Sequence, residues 1–382
     1  KYKIMASVTN NTQPQLAEEW NVQAQTEGYR IEPVNMLAQP KEVRLRCEVT
    51  GAPATIQMIT PYIILYFGSK QDAEIAWTGI LHKILPLLGP IRTTPAVIGS
   101  EEERQRRRYT LDVSKRALID LTKTEAANLL ARGQFALSIP GALQSMNLTK
   151  DVHGEDSIEI VPTYLLLAEA NLGLKRLKAA EEFLSLANWS VLKNPECSNN
   201  IRSQLHRNFG KLYASQGKHT EALQQLSQDV YYASLEVGPE HVDTAGGYYH
   251  MANIFYSQNQ IENSLAFYDK VVDVWYKFLA SVRNNTENID TLGEAQIAEA
   301  MEMLKEILKT REKFLGDGHI ATGEARYTLG LLYLFVGDTA KAIDHISIAS
   351  SIYETHLGSE HPSTKDVKEV LEQLKQVGQK EQ

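Results

Sequence analysis

The chain has 382 residues, of which 43% are hydrophobic and 23% are charged, a composition typical of globular proteins. It carries 39 lysines and arginines against 47 acidic residues, so its formal net charge is −8. This charge argues against a general nucleic-acid binder, because such a protein needs a clear positive excess. The length predicts two domains or one long repeat array.

The cysteine content excludes a disulfide framework, because the chain has only Cys47 and Cys197. We therefore expect a reduced intracellular compartment. The first twelve residues lack the apolar core of a signal peptide. No stretch reaches the ~20 apolar residues that a membrane helix requires, so no membrane segment is predicted.

Residues 1–40 are polar and contain few apolar anchors. We predict an extended N-terminal arm that orders only on a partner. Residues 41–95 contain Cys47-Glu48-Val49, an apolar run at 59–67 and a helical pattern at 71–88 that includes Trp77 and His82. This second segment is predicted to form a small separate domain.

Residues 41–95 resemble a MYND-type zinc finger, a fold that holds two zinc ions with seven cysteines and one histidine. Cys47 and His82 stand where a first and a late ligand would lie. The other ligand positions are filled by residues that cannot form a tetrahedral zinc shell: Thr50, Met58, Pro61, Phe67, Gln71 and Pro86. The resemblance implies a degenerate, zinc-free finger in which Cys47 and His82 are vestigial. The alternative is an unrelated small α/β cap.

Residues 96–115 contain three glutamates followed by a run of arginines, Glu101 to Arg108. Acidic and basic residues three to four positions apart suit a helix with internal ion pairs. We predict a solvated helical linker, with a basic docking patch as the alternative.

Residues 116–375 contain an internal repeat of 42 residues. Gly-x-x-His recurs at 238–241, 316–319 and 358–361, and each copy follows an amphipathic stretch. An apolar–small pair lies between these motifs, with its small residue at Ala168, Gly210, Ala252 and Gly330. The gap from 252 to 330 leaves room for one divergent unit, with its second helix at 295–308 and a linker or insertion at 284–292.

The glycine of each motif suits a helix C-cap, and His241, His319 and His361 are predicted to be turn or cap residues. Small residues at fixed positions allow two helices of a hairpin to cross closely. The pattern resembles the tetratricopeptide repeat (TPR) in its 42-residue, kinesin-light-chain variety. The predicted fold is therefore mainly α, a TPR solenoid of about five or six repeats with a small N-terminal degenerate MYND-like cap.

In such arrays the first helix of each hairpin lines the concave face. Tyrosine and arginine side chains there suit partner recognition. An inter-repeat core role is the alternative for the tyrosines, and Arg207 with Lys211 would meet an acidic partner segment. The predicted partner-binding residues are Gln204, Arg207, Lys211, Tyr249, Asn253, Tyr256 and Tyr327.

A finger, a linker and TPRs in this order, together with VPTYLLLAEANLGL at 161–174 and TAGGYYHMANIFY at 244–256, resemble the zinc finger MYND domain-containing protein 12 family of axonemal proteins. The resemblance spans about residues 34–307. It implies a structural subunit that tethers a single-headed inner dynein arm, subspecies d, to the doublet microtubule. The implied partners are a tetratricopeptide repeat protein 29-like subunit, an inner-arm dynein heavy chain and other doublet proteins, in the cytoplasm and ciliary axoneme.

The sequence contains no convincing catalytic motif, and the histidines are scattered. We expect no enzymatic activity, no cofactor, no nucleic acid and no membrane partner. The rival functions are a soluble cargo adaptor of kinesin-light-chain type or an intraflagellar transport accessory factor. A zinc-dependent peptide reader or methyltransferase is a third possibility, which stoichiometric zinc would support.

Overall fold

The computed structural model describes residues 28–35, 44–92, 99–284 and 292–380, and it divides into two compact units, Lys1–Asp120 and Leu121–Gln382. The first unit contains an antiparallel sheet of three strands in the order β1-β2-β3: Arg30–Pro33, Ile56–Ile59 and Ile64–Phe67. Ile31, Met58 and Leu65 are cross-strand partners, and all three are buried. Burial of this row anchors the sheet, since each large apolar side chain contributes roughly 1.5–3 kcal/mol.

The predicted N-terminal arm requires a correction, because residues 28–35 belong to the small domain. β1 pairs along its length with β2, and Tyr29 packs its ring 4.4 Å from that of Trp77. The period-two alternation of Ile31 with polar neighbours is short, so it is easily missed in a polar segment. Residues 1–27 and 36–43 of the predicted arm and domain lie outside the described residues.

Two helices follow the sheet, α1 (Lys70–Ala76) and α2 (His82–Arg92), separated by a π-helical turn. Ser69 caps α1 by accepting a hydrogen bond from the Asp72 N–H, which satisfies one of the free donors of the first turn. Arg92 forms a bidentate pair with Glu48, at 2.7 and 3.0 Å. This pair ties the end of α2 to the loop before β2.

The rest of the described chain is helical. The helices alternate in direction and are joined mostly by turns of a few residues. Their bounds are α3 Glu101–Ala131, α4 Phe135–His153, α5 Val161–Gly173, α6 Leu177–Lys193, α7 Asn199–Ser215, α8 His219–Glu236, α9 Val242–Ser257, α10 Ile261–Asn284, α11 Glu294–Leu315, α12 Ile320–Phe335, α13 Thr339–Leu357 and α14 Pro362–Lys380. The predicted linker at 96–115 and the first repeat share α3, which is one continuous helix.

Small residues set the spacing within the hairpins, as the sequence predicts. A Cβ on Gly210 would lie 2.6 Å from Leu226 Cγ, and one on Gly330 would lie 2.5 Å from Ile346 Cγ1. These glycines therefore let α7 approach α8, and α12 approach α13, to van der Waals contact. In the described part of the chain, five hairpins stack in this way: α3–α4, α5–α6, α7–α8, α9–α10 and α12–α13. The mainly α solenoid of helical repeats is confirmed.

The Gly-x-x-His motif connects one repeat to the next. Gly238, Gly316 and Gly358 have φ of 97°, 92° and 83°, in the left-handed region that favours glycine. Nδ1 of His241, His319 and His361 accepts a hydrogen bond of 3.2 Å from the backbone N–H two residues later. The prediction that these histidines are cap residues is confirmed.

The divergent unit between 252 and 330 contains one helix rather than a hairpin. α11 runs antiparallel to α10, because Arg311 pairs with Asp269 while Met303 lies near Trp275. A single added helix reverses the chain direction, so α12 runs antiparallel to α9 although their sequence motifs match. Most of the predicted linker at 284–292 lies outside the described residues.

We predict that Gly210→Ala lowers the free energy of unfolding by about 1–3 kcal/mol, because the added methyl overpacks Leu226. Gly318→Ala is the matched control, since no atom lies within 4 Å of a Cβ there. Thermal and urea unfolding of the two variants measure the difference. Equal melting temperatures would contradict close packing at this crossing.

Candidate interaction surface

The predicted concave surface contains two ion pairs, one between successive hairpins and one within a hairpin. Lys211 of α7 pairs with Glu169 of α5. Arg207 of α7 pairs with Asp229 of α8 at 2.9 Å and donates a 2.7 Å hydrogen bond to the Asp243 carbonyl oxygen at the start of α9. Both cations predicted to meet a partner thus have partners within the array.

Arg207 is held by its surroundings on several sides. The Asp229 side chain is 0% exposed and accepts a 2.6 Å hydrogen bond from Ser203 Oγ. A Cβ on Gly246 would lie 3.0 Å from Arg207 Nη1, so the absence of a side chain there lets α9 lie against the guanidinium. Burial opposes the charge of Arg207, but Asp229 outweighs it and raises the pKa of the guanidinium. Its charge therefore neutralises a buried carboxylate.

The charges of Lys211 and Arg207 favour the ionised form of Glu169 but the neutral form of His250. Burial would raise the pKa of Glu169, but the charges of Lys211 and Arg207 outweigh it and lower that pKa. Burial, reinforced by Lys211 and Arg207, lowers the pKa of His250 well below 6.5. The imidazole is therefore neutral at pH 7, and its buried Nε2 has no hydrogen-bond partner among the residues that the structure describes.

Helix α11 covers the part of the surface that α9 was predicted to present. Gln296 Nε2 donates to Asp243 Oδ1 at 2.9 Å, and Lys313 Nζ donates to the Tyr256 hydroxyl at 3.0 Å. These two contacts place the start of α11 at the start of α9 and its end at the end of α9. The Phe314 ring also meets Tyr256 edge-on at 5.9 Å.

Tyr249 and Asn253 lie between these two ends. Burial, with Glu306, Glu302 and Glu299 of α11 nearby, raises the pKa of Tyr249. The Tyr268 hydroxyl of α10 donates to Asn253 Oδ1 at 2.5 Å. Burial and Tyr249 raise the pKa of Tyr268 to about 12, so it remains a donor. The side chains of Tyr249 and Asn253 are therefore both in contact with other residues of this chain.

α11 is a permanent part of this surface. Its buried face contributes Met303, Leu304, Ile307 and Leu308 to the largest apolar cluster, worth roughly 1.5–3 kcal/mol each. Its fully buried Arg311 donates to the Ala321 carbonyl oxygen at 2.5 Å and pairs with Asp269. Removing this helix to admit a partner would cost more than a typical interface returns.

Tyr327 does not lie on an open surface, so this predicted site residue is corrected. It is 3% exposed, donates to Asp366 Oδ2 at 2.7 Å and accepts from Arg283 Nη1 at 3.2 Å. Because α11 reverses the direction of α12, the repeat motif that α12 shares with α9 faces α10 and α14. Tyr327 and the half-buried Arg283 and Asp366 form a clamp that joins α10, α12 and α14.

The groups that remain open to a partner include one predicted residue, Gln204, and three that were not predicted. Gln204 is exposed, and its side chain donates to Asn200 Oδ1 of its own helix. Glu299, Glu302 and Glu306 are also exposed, and their spacing of three and four residues places them on one face of α11. Sequence reasoning missed them because it assigned 295–308 to an ordinary second helix.

Cys47 and His82 have separate local partners. The Cys47 thiol is buried, and its Sγ accepts a 3.4 Å hydrogen bond from the Thr50 N–H. Burial would raise the pKa of this thiol, but the hydrogen bonds from Thr50 outweigh it and lower that pKa. His82 Nδ1 lies 3.1 Å from the Trp77 carbonyl oxygen on the surface. Residues 28–35, 44–92, 99–284 and 292–380 hold no group of three potential metal ligands.

A stack of helical hairpins with protein-lined grooves is the architecture of protein–protein interaction scaffolds. The tetratricopeptide repeat family model matches residues 245–274, which cover most of α9 and the first half of α10. Within the described part of the chain, no helix is long and apolar enough to cross a bilayer. The TPR fold points to a non-catalytic scaffold that binds proteins.

Curated relatives and solved structures are distant. The Clustered mitochondria protein homolog of Homo sapiens is 22% identical over 192 residues, 47% of this chain and 15% of that protein. The homolog of Emericella nidulans is 23% identical over 243 residues, 58% of this chain and 20% of that protein. This chain therefore matches at most a fifth of the length of these relatives. A solved putative kinesin light chain with TPR-like repeats, from Podosopora anserina, is 17% identical, with coverage of 51% of this chain and 95% of that one and a TM-score of 0.28.

We predict that Arg207→Met destabilises the array by about 3–5 kcal/mol, because it leaves Asp229 buried without a counter-charge. Arg132→Met is the matched control. Its pair with Glu294 has side chains 58% and 70% exposed, so its loss should cost less than about 1 kcal/mol. Melting temperatures of both variants test this. Similar losses would contradict a structural role for Arg207.

We predict that the array loses stability as the pH falls from 7.5 to 5.5. The pKa of His250 is lower in the folded than in the unfolded chain, so unfolding takes up a proton in this range, at a cost to folding of at most about 1.4 kcal/mol per pH unit. His250→Gln should make the fall in melting temperature shallower. His345, whose pKa is also lowered by burial and Arg326, would retain part of the slope. An unchanged slope in the variant would show that His250 does not titrate in this way.

Proposed function

We propose that this chain is a non-enzymatic adaptor that binds protein partners through its helical array. The observation that carries the proposal is the concave surface described above, where ion pairs hold α5, α7 and α8 and a hydrogen bond from Arg207 holds the start of α9. A surface held by buried pairs is already ordered before a partner arrives, so binding loses less conformational entropy. The exposed carboxylates of Glu299, Glu302 and Glu306, with Gln204, are the groups we assign to contact with a partner.

The carboxylates of α11 favour a basic partner segment on this surface. This assignment reverses the sign of the charge expected from Arg207 and Lys211 alone. Lys305 Nζ lies 3.7 Å from Glu302 Oε1 and Lys309 Nζ lies 3.5 Å from Glu306 Oε1, so each lysine partly screens one carboxylate. Glu299 has no ion pair in the described part of the chain, and although its side chain is solvent-exposed, the groove around it partly desolvates the carboxylate and raises its pKa. A cation from a partner would stabilise its ionised form.

The finer proposal is a structural subunit of the ciliary axoneme that tethers an inner dynein arm, subspecies d, to the doublet microtubule. The sequence stretches at 161–174 and 244–256 support it through their resemblance to axonemal proteins. The partners would be a tetratricopeptide repeat protein 29-like subunit, an inner-arm dynein heavy chain and neighbouring doublet proteins. The location would be the cytoplasm and the axoneme.

A soluble cargo adaptor of kinesin-light-chain type, or an intraflagellar transport accessory factor, is the second candidate. The observation that favours it is the 42-residue repeat closed by Gly-x-x-His caps, which resembles the kinesin-light-chain variety of TPR. Such an adaptor would be extracted with the soluble matrix of the cilium. An axonemal tether would resist extraction.

We predict that the protein stays with demembranated cilia in high salt and cross-links there to an inner-arm dynein heavy chain or a second TPR protein. Lys305 and Lys309 flank the assigned carboxylates and provide the reactive amines. Cross-linking mass spectrometry on isolated axonemes tests this. Recovery in the soluble fraction with transport complexes would replace the tether with the cargo adaptor.

Substitutions test the assigned face in the same material. Glu299→Arg with Glu302→Arg should release the cross-linked partner or weaken its binding, because both carboxylates change sign. Glu372→Arg, on an exposed position of α14, is the matched control. Unchanged partner binding by the double variant would exclude this surface.

A further inference from the structure

The second helices of the five hairpins allow a comparison of equivalent outward positions within one chain. Each has a small residue that is 0% exposed at the hairpin crossing: Ser138, Ala180, Ala222, Ser264 and Ala342. The residue nine positions later points away from the crossing. These outward residues are Asn147, Trp189, Tyr231, Asp273 and Ser351.

Two consecutive repeats differ from the other three at this position. Asn147, Asp273 and Ser351 are polar, as expected for a solvated face. Trp189 and Tyr231 are large aromatic residues that are nevertheless 60% and 55% exposed. An exposed tryptophan is costly in water and is enriched at protein interfaces. The difference within one repeat register therefore marks α6 and α8.

Further exposed apolar residues lie along or just after the same helices, most of them three or four positions from the aromatic residue. We define the α6–α8 patch by the following exposed side chains: Leu186, Trp189, Leu192, Tyr231, Leu235 and Val237. Exposed apolar side chains grouped on neighbouring elements mark interaction sites on soluble proteins. Lys193 Nζ lies 5.3 Å above the Trp189 ring and pairs with Asp156.

The rim of the α6–α8 patch is acidic. Its helices and the loop after α6 carry five exposed glutamates that have no ion pair in the described part of the chain: Glu181, Glu182, Glu196, Glu221 and Glu236. Only Lys178 and Lys193 offset them. A partner of this patch should therefore have an apolar stripe bordered by basic side chains.

Residues 104–113 of α3 have this chemistry, with four arginines against Asp112, and they follow an acidic first turn of Glu101 to Glu103. Residues 101–110 are all exposed. Tyr109 is 71% exposed and Val113 is also exposed, and their spacing of four residues places them on one helix face. Arg106 lies one turn before Tyr109 on that face, within the run from Arg104 to Arg108.

We propose that a second copy of this chain occupies the α6–α8 patch, with the first half of its α3 as the docking helix. Tyr109 and Val113 would pack on Trp189 and Tyr231, and the arginines would face the glutamate rim. The two surfaces are different, so the contact is heterologous and generates open chains or rings rather than a closed two-fold dimer. The contact is small, so the affinity should lie at about 1–100 µM.

The test is sedimentation equilibrium of the purified full chain over a concentration series at low and high salt. We expect an average mass that rises above the 42.8 kDa monomer with concentration and falls as salt screens the charges. The patch variant is Trp189→Ser with Tyr231→Ser, and the helix variant is Arg106→Glu with Tyr109→Ser. Each should weaken self-association by about 30-fold or more.

Mixing the two variants distinguishes this contact from other modes of association. The patch variant keeps an intact docking helix and the helix variant keeps an intact patch, so the mixture should form one-to-one dimers that do not grow. Asn147→Ser with Ser351→Ala, at equivalent positions of other repeats, is the control and should associate normally. Circular dichroism and melting temperature confirm that each variant is folded.

Three results would overturn the proposal. The first is a wild-type chain that stays at monomer mass at 100 µM, as it would if the helix docked within its own chain or if the patch received another protein. The second is a folded patch variant that associates like the wild type. The third is a variant mixture that stays monomeric while the wild type associates.

Discussion

The close crossing of two helices at a small residue is the constraint on which the rest of the structure depends. At Gly210 and Gly330 even one methyl group would overlap the facing Leu226 or Ile346. Each crossing holds a first helix and a second helix at a fixed distance, and the turn after each hairpin fixes the next pair. This spacing brings Glu169 of one hairpin within reach of Lys211 of the next, and Arg207 within reach of Asp229 inside one hairpin. The concave surface therefore depends on glycine and alanine, although charged residues line it.

The periodic part of the fold could be predicted from the sequence, because packing in a repeat is local. The 42-residue spacing, the small residues at the crossings and the histidine caps each depend on contacts within one or two hairpins. The strand at Arg30–Pro33 was missed because four residues in a polar segment give too short a pattern, and only pairing with Ile56–Ile59 defines it. The relation of the N-terminal unit to zinc fingers stays a prediction.

The candidate surface was harder to predict, because it depends on where α11 packs. Sequence register assigns Arg207, Tyr249 and Tyr327 to equivalent positions, each three residues before a small residue. The structure gives them three different roles. Arg207 pairs with the buried carboxylate of Asp229, Tyr249 lies beside α11, and Tyr327 is buried in the clamp with Arg283 and Asp366. Contacts that decide these roles span 22 to 53 residues, which no local pattern encodes. The exposed carboxylates of α11 became candidates only once its buried face was known.

The single helix α11 also has a consequence for how such an array can change. In a chain of alternating helices, the direction of each helix depends on whether an even or an odd number of helices precedes it. Insertion or deletion of a whole hairpin preserves the direction of everything that follows, whereas one helix inverts it. Hairpins before α11 can be duplicated or lost without altering the orientation of α12–α14. A loss of α11 alone would turn these last three helices over, and the half-buried contacts of Arg283 and Tyr327 with Asp366 would have no counterpart. The odd helix thus divides the array into a segment that can vary in length and a segment whose fit is fixed.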